Sequence, residues 1–198
     1  MKRLLIVGAG GHGRSVAEAV LAAGKYELVG FVDDAAPALQ QVWDLPVFGT
    51  TADLTRYREY ADAAVVAIGN NRLREALQLT LYAAGFALAT VVHPQAMVSP
   101  RAVIGAGGAI MAGAIVGAEA QLGAGVIVNC GAVIDHDGRV DDFGHLGVNA
   151  AMSGGSVLGR GAWMQAGSVL GYGAIVEAGR VLGPGDAVNK SINRNGIQ

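Results

Sequence analysis

The chain of 198 residues contains one cysteine, Cys130. A single thiol cannot close a disulfide within the chain, so no cystine framework holds the fold, and this usage fits a reducing cytoplasm. Mean hydropathy is +0.41, yet no apolar run reaches the roughly 18 residues that a membrane span needs. The opening Met1-Lys2-Arg3-Leu4-Leu5-Ile6-Val7-Gly8 has a basic pair and a short apolar run. That run ends in a glycine turn too early for a secretory signal. A net charge of −2 gives no basic surface for nucleic acid. What the chain has in quantity is glycine, 31 residues, spaced with a regularity that disordered sequence lacks.

That regularity is a period of six. Over residues 98–188 every sixth residue is aliphatic or Met: Val98, Ile104, Ile110, Val116, Leu122 and onward to Val188. Four places after each of these leaders the residue is small, from Ala102 and Gly108 through Ala174, with Val126 the largest; Arg180 and Asp186 then break the series. Six fits neither an amphipathic helix nor a hairpin sheet, and it does fit a β-helix. Each hexad is one short strand plus a corner, and three hexads close a triangular coil. The leader points inward, and the small residue is expected to let the backbone turn. About five coils spaced about 4.8 Å apart form a rod roughly 24 Å long.

Residues just before each leader should face outward. Ile115, Val133, Ala151, Val169 and Ala187 form one apolar stripe, and Ala109, Ile127, His145, Trp163 and Val181 a second. Outward stripes of this length mark an interface, and identical prisms packed about a rotation axis would bury them. A closed homotrimer is the expectation.

Ahead of the rod, apolar runs at 2–7, 26–32, 63–68 and 87–92 alternate with helical stretches at 14–23, 51–60 and 72–84. This reads as a small parallel α/β domain over 1–93, followed by the rod over 94–198. Between the first strand and helix stands Gly8-Ala9-Gly10-Gly11-His12-Gly13, a G-x-G-x-x-G turn of the kind whose backbone N–H groups approach a phosphate. Asp33 lies where an acid could bind a ribose hydroxyl. One mononucleotide-sized half suits a nucleoside diphosphate better than a dinucleotide; the rival reading is a tight turn with no ligand.

Four histidines carry the remaining chemistry. His93 precedes Pro94 in the linker. His12 sits inside the glycine turn, within reach of a phosphate or sugar. His136 is on a rod corner in Asp135-His136-Asp137, where two carboxylates favour the imidazolium and so raise basicity. A general base for an amine or hydroxyl nucleophile is tuned in this way. No second His or Cys has a ligand-like spacing within the rod, so no metal is expected; a solvated surface histidine is the plainer alternative. His145 should project outward from a strand, half a coil from His136, so the two meet only across a subunit boundary if at all.

The order of these motifs resembles one family. Gly-Ala-Gly-Gly-His-Gly, Asp33-Asp34 and Ile68-Gly69-Asn70-Asn71, then a hexapeptide rod with Val133-Ile134-Asp135-His136-Asp137, is similar to the bacterial nucleotide-sugar N-acetyltransferases that act on UDP-4-amino sugars in the bacillosamine pathway. Sialic acid O-acetyltransferases are near relatives. The resemblance covers nearly the whole chain. It implies a left-handed β-helix, a trimer, and acetyl-CoA as donor. It also implies that His136 is the base, with Asp137, where a family member carries Glu, raising its basicity. His145, Ala166 and Pro184 match the acetyl-CoA site; Gly10, Gly11, His12, Asp33, Asp34 and Gly69 match the nucleotide-sugar contacts. The chain departs from many relatives in its tail, Asn193-Arg194-Asn195-Gly196-Ile197-Gln198. The expected reaction is acetylation of the amino group of a nucleotide-linked sugar in the cytoplasm. Alternatives are acetylation of a sugar hydroxyl, and a nucleotide-binding scaffold without transferase chemistry.

Overall fold

Short apolar strands alternate with two helices in the first half of the chain. The computed structural model describes residues 1–36 and 38–190; the tail at 193–198 lies outside them. The elements are β1 (Lys2–Val7), α1 (Gly11–Ala23), β2 (Tyr26–Val32), a small antiparallel pair β3 (Gln41–Val42) and β4 (Leu45–Pro46), a 3-10 segment (Thr51–Glu59), β5 (Ala63–Val66), α2 (Asn71–Ala83) and β6 (Ala87–Leu88). The main sheet has the order β2-β1-β5-β6, all parallel. Both of its faces are covered, so β1 is apolar without alternation. Leu4 and Ile6 pack on the α1 side, while Leu5 and Val7 pack on the α2 side.

The helix expected over 51–60 is a 3-10 segment interrupted by non-helical Asp53. The strand expected over 87–92 divides between two sheets. Ala89 N–H donates to Ala64 O of the α/β sheet, whereas Val91 N–H donates to Gly108 O of the rod. Leu88 thus ends one sheet and Val91 begins the other.

From Val91 the chain forms a left-handed parallel β-helix of about five coils. Its three walls are parallel sheets of six, six and five two-residue strands. Pairing advances by one coil per step: Ile127 lies opposite His145, and His145 opposite Trp163. The leaders fill the interior, with Ile110, Val128, Ile134, Leu146 and Leu158 fully buried. At roughly 1.5–3 kcal/mol each, these side chains are the main stabilising contribution to the rod.

The corners work differently from the expectation. The small residue four places after the leader is buried inside the coil, as Ala114, Ala132 and Ala150 show. The residue before it makes the turn, with a left-handed φ at Gly107, Gly113, Glu119, Gly125, Gly131, Asp137, Phe143, Asn149 and each sixth residue on to Gly185. Division of labour explains this: one residue must bend the chain, and the next must fit inside the bend.

The second outward stripe is not free for another subunit. Ala109, Ile127 and His145 are buried, and Ala109 joins Met111 and partly buried Cys130 in the core beneath α1. The chain's own α/β domain covers this wall; only Val181 at its far end is well exposed. α2 lies along the adjoining corner. Gln78 Nε2 donates to Ala106 O, Arg74 to Gly125 O and Phe143 O, and Asn71 Nδ2 to Gly161 O. Arg160 pairs with both Glu75 and Asp142.

Candidate active site

A column of corner residues one coil apart carries His136, Gly154 and Tyr172. His136 Nδ1 lies 2.7 Å from Asp137 Oδ2. A carboxylate only accepts, so Nδ1 holds the proton and Nε2 presents its lone pair. Asp135 accepts the His136 backbone N–H at 2.7 Å through Oδ1, and its Oδ2 stands 3.9 Å from Nε2. The hydrogen bond that His136 donates to Asp137, then the charge of Asp135, hold the imidazole above its ordinary pKa. The group remains half exposed, at 51%, so a molecule at the rod surface can reach it. Asp137 has φ 56°, a backbone region that Asp tolerates better than most residues. The same bend that turns the coil therefore aims the carboxylate at the ring.

Gly154 makes room for that ring. A Cβ there would stand 2.6 Å from His136 Cε1 and Nε2, and 3.2 Å from the Tyr172 ring. The Nε2 edge of the imidazole thus faces the coil below, over a residue without a side chain. Gly154 and Tyr172 follow His136 at eighteen-residue steps, so their stacking is legible in the sequence; that the imidazole lies over Gly154 and beside the Tyr172 ring is not.

The glycine turn forms a second centre. Gly8 (φ 108°) and Gly13 are required by packing: a Cβ on Gly8 would meet Ala67 O at 2.7 Å, and one on Gly13 would strike Gly8 O. Gly10 and Gly11 face open space, with nothing within 4 Å of a Cβ. Gly10 caps α1 with no side-chain hydrogen bond, so the helix N-terminus opens onto this space. Asp33 Oδ2 accepts Ala9 N–H at 2.7 Å, and its Oδ1 accepts Ala35 N–H at 2.8 Å. Asp34 Oδ1 accepts Thr51 N–H and the Thr51 hydroxyl. Both acids therefore brace the loops around the turn.

Behind the turn is a buried polar seam that sequence reasoning missed. Arg74 is fully buried. Besides Gly125 O and Phe143 O it donates to Ile68 O, and all these acceptors are backbone carbonyls. Burial lowers its pKa to about 10. His145 packs against it, with Nδ1 3.3 Å from Gly69 O and its ring stacked on Trp163 at 5.4 Å between centroids. Desolvation, then Arg74, lower the pKa of His145 to about 3 and that of His12 to about 4. His12 Nε2, Asn71 Oδ1 and Trp163 Nε1 are buried without a hydrogen-bond partner. Asn71 and Trp163 line an open cleft of about 360 Å³ with Gly69, Asn70 and Arg72. The only sequence signal for Arg74 was its place in the helical stretch at 72–84.

The predicted residues fall into three places. His136 and Asp137 share the corner described above. His12, Gly69 and His145 meet at the seam beside Gly10 and Gly11, with Asp33 and Asp34 at the adjacent loop. Ala166 and Pro184 stack on a different corner, where Gly185 N–H donates to Ala166 O. Among the described residues, no hydrogen bond or ring contact joins His136 to His145.

An imidazole held by a carboxylate on a hexapeptide coil, with a glycine-turn α/β domain docked on the same rod, is the architecture of a hexapeptide-repeat acyltransferase. Comparison with known proteins agrees. Residues 3–81 match the PglD N-terminal domain family. The acetyltransferase domain of PglB from Neisseria gonorrhoeae, solved with acetyl coenzyme A, is 36% identical, with a TM-score of 0.87 over 95% of this chain and 93% of that one. PerB from Caulobacter crescentus, solved with CoA and GDP-perosamine, is 37% identical, with a TM-score of 0.82 over 94% and 91%. A histidine variant of GDP-perosamine N-acetyltransferase from the same organism, in complex with the same two ligands, is 36% identical with a TM-score of 0.83. No curated protein sequence matches. The chain belongs to the hexapeptide-repeat nucleotide-sugar N-acetyltransferases. Among the described residues, no helix is long and apolar enough to cross a membrane.

Proposed function

We propose that this enzyme transfers an acetyl group from acetyl-CoA to the amino group of a nucleotide-diphosphate sugar of the UDP-4-amino type, in the cytoplasm, for glycan assembly. The observation that carries the reading is the 2.7 Å bond from His136 Nδ1 to Asp137, which leaves Nε2 free to take a proton. His136 removes that proton from the attacking amine as nitrogen bonds to the thioester carbon. Asp137 stabilises the imidazolium that forms, and the proton passes to the departing CoA thiolate. The open space over Gly10 and Gly11 at the start of α1 holds the diphosphate, with His12, Asp33, Asp34 and Gly69 around the nucleotide. His145, Ala166 and Pro184 hold the cofactor.

A trimer fits the face left uncovered. Ile115 and Val169 are 40% exposed in the single chain, and their stripe runs between the His136 corner and the Ala166–Pro184 corner. Closing three copies about an axis would bring one copy's base beside the next copy's cofactor corner. A second reading, a GDP-linked amino sugar, is favoured by the two Caulobacter matches.

The test is CoA release with UDP- and GDP-linked amino sugars and free sialic acid as acceptors. His136→Ala should lower kcat by about 10²–10⁴. A near-normal rate in that variant would remove the mechanism. Turnover on sialic acid alone would replace the acceptor. Sedimentation of an active monomer would remove the trimer.

A further inference from the structure

We infer that Arg74 is the built-in counter-charge for the diphosphate of the nucleotide sugar, an inference that rests on the nucleotide-binding reading above. Arg74 is fully buried. Its guanidinium donates to Gly125 O and Phe143 O at 2.8 Å each and to Ile68 O at 3.0 Å. Among the described residues, no carboxylate pairs with it. Carbonyl dipoles satisfy its N–H groups but leave a whole positive charge uncancelled. Burial lowers its pKa only to about 10, so the group stays charged at neutral pH. A buried cation without an anion is costly to the fold, and an anion that arrives beside it is bound the more strongly for that.

A chain of contacts places this charge behind the glycine turn. Ile68, whose carbonyl takes the Arg74 Nη1 bond, packs on the turn, since a Cβ on Gly8 would stand 2.9 Å from Ile68 Cγ1. Gly13 of α1 packs in turn on Gly8 O. The field of Arg74 reaches the turn itself: after burial, it is what lowers the pKa of His12. From the rod side His145 feels it in the same way and is also neutral. The other charges here do not supply the attraction. Asp33, half-buried, holds Ala9 N–H, and Asp34 holds Thr51; both carboxylates oppose an anion. Arg14 in the first turn of α1 and Arg72 at the start of α2 are exposed, so water and salt screen them over about 8–10 Å. A charge sealed under the turn is screened far less. Arg74 therefore gives the open space over Gly10 and Gly11 its positive potential, adding to the uncapped N-terminus of α1.

The experiment compares the affinities of UDP and GDP, by calorimetry, with those of uridine and guanosine, by saturation-transfer NMR. Wild type, Arg74→Met, Arg74→Gln and Arg74→Lys are used, with thermal melting as a check on folding. Gln keeps an amide donor for the carbonyls without the charge, and Lys keeps the charge without the planar fork. The neutral variants should lower the diphosphate-to-nucleoside affinity ratio at least about tenfold, and Arg74→Lys should hold it within about threefold of wild type. A purely structural role would weaken nucleosides and diphosphates alike and leave the ratio fixed. A folded neutral variant with the wild-type ratio overturns the inference alone. So does an Arg74→Lys enzyme whose ratio falls about tenfold, a result that decides even where the neutral variants do not fold. A wild-type enzyme that binds neither diphosphate more tightly than its nucleoside overturns the nucleotide-binding reading as well.

Discussion

Lowering the pH from 7 to 5 is expected to weaken the seam between the α/β domain and the rod. His145 is buried and His12 half-buried near Arg74, with pKa values lowered to about 3 and about 4. In the unfolded chain both would titrate near 6.5. A base with a depressed folded pKa contributes stability that is present above the unfolded pKa and is lost as pH falls toward the folded one. The affected window therefore runs from about 6.5 down to about 3. At pH 5 the folded state still leaves both rings neutral, whereas the unfolded state has protonated both. At about 1.36 kcal/mol per pH unit, each ring then contributes a loss of about 2 kcal/mol, and the pair about 4. That is a large share of the 5–15 kcal/mol typical of a folded domain. Urea unfolding at fixed protein concentration, from pH 7 to 5, measures it. His12→Gln and His145→Gln replace each ring with a side chain that cannot protonate, so each should remove about half of the acid loss. A double variant with the wild-type pH slope would refute the reasoning.

Other perturbations separate the roles of individual residues. Asp137→Asn suits the same left-handed backbone but loses the charge, so the raised pKa of His136 should fall. The limb of kcat/KM that rises as His136 deprotonates should then move to lower pH, with a lower plateau, in a pH–rate profile. Arg74→Ala takes the side-chain donor from the carbonyls of Gly125, Ile68 and Phe143 and empties a fully buried site. It should cost at least about 3 kcal/mol in urea unfolding, at about 1–3 kcal/mol for each buried acceptor left unpaired, and Arg74→Met less because volume is kept. Gly11→Ala meets nothing within 4 Å, so its melting point should hold while nucleotide-sugar affinity, read by calorimetry, falls at least about tenfold.

The rod was legible in the sequence because its code is one-dimensional. Each leader is buried by its own coil and the next, so a strict step of six fixes strand, interior and stacking together. The His136–Asp137 pair was legible for a related reason: neighbouring residues on a corner need no distant element to meet. The glycine turn was read from spacing, but spacing could not separate Gly8 and Gly13, which the packing requires, from Gly10 and Gly11, which open onto free space.

What the sequence by itself determined was therefore local or periodic: the coil, its hydrophobic filling, and an imidazole beside a carboxylate. Only the tertiary structure decided which outward stripe stays exposed, because burial of the Ala109–Ile127–His145 wall depends on the α/β domain packed against it. It also decided that Arg74 lies among backbone carbonyls, that His145 meets Gly69 across 76 residues of chain, and that the His136 ring tilts beside Tyr172. Those contacts join residues far apart in the chain, and their energy depends on desolvation and shape that no local pattern encodes.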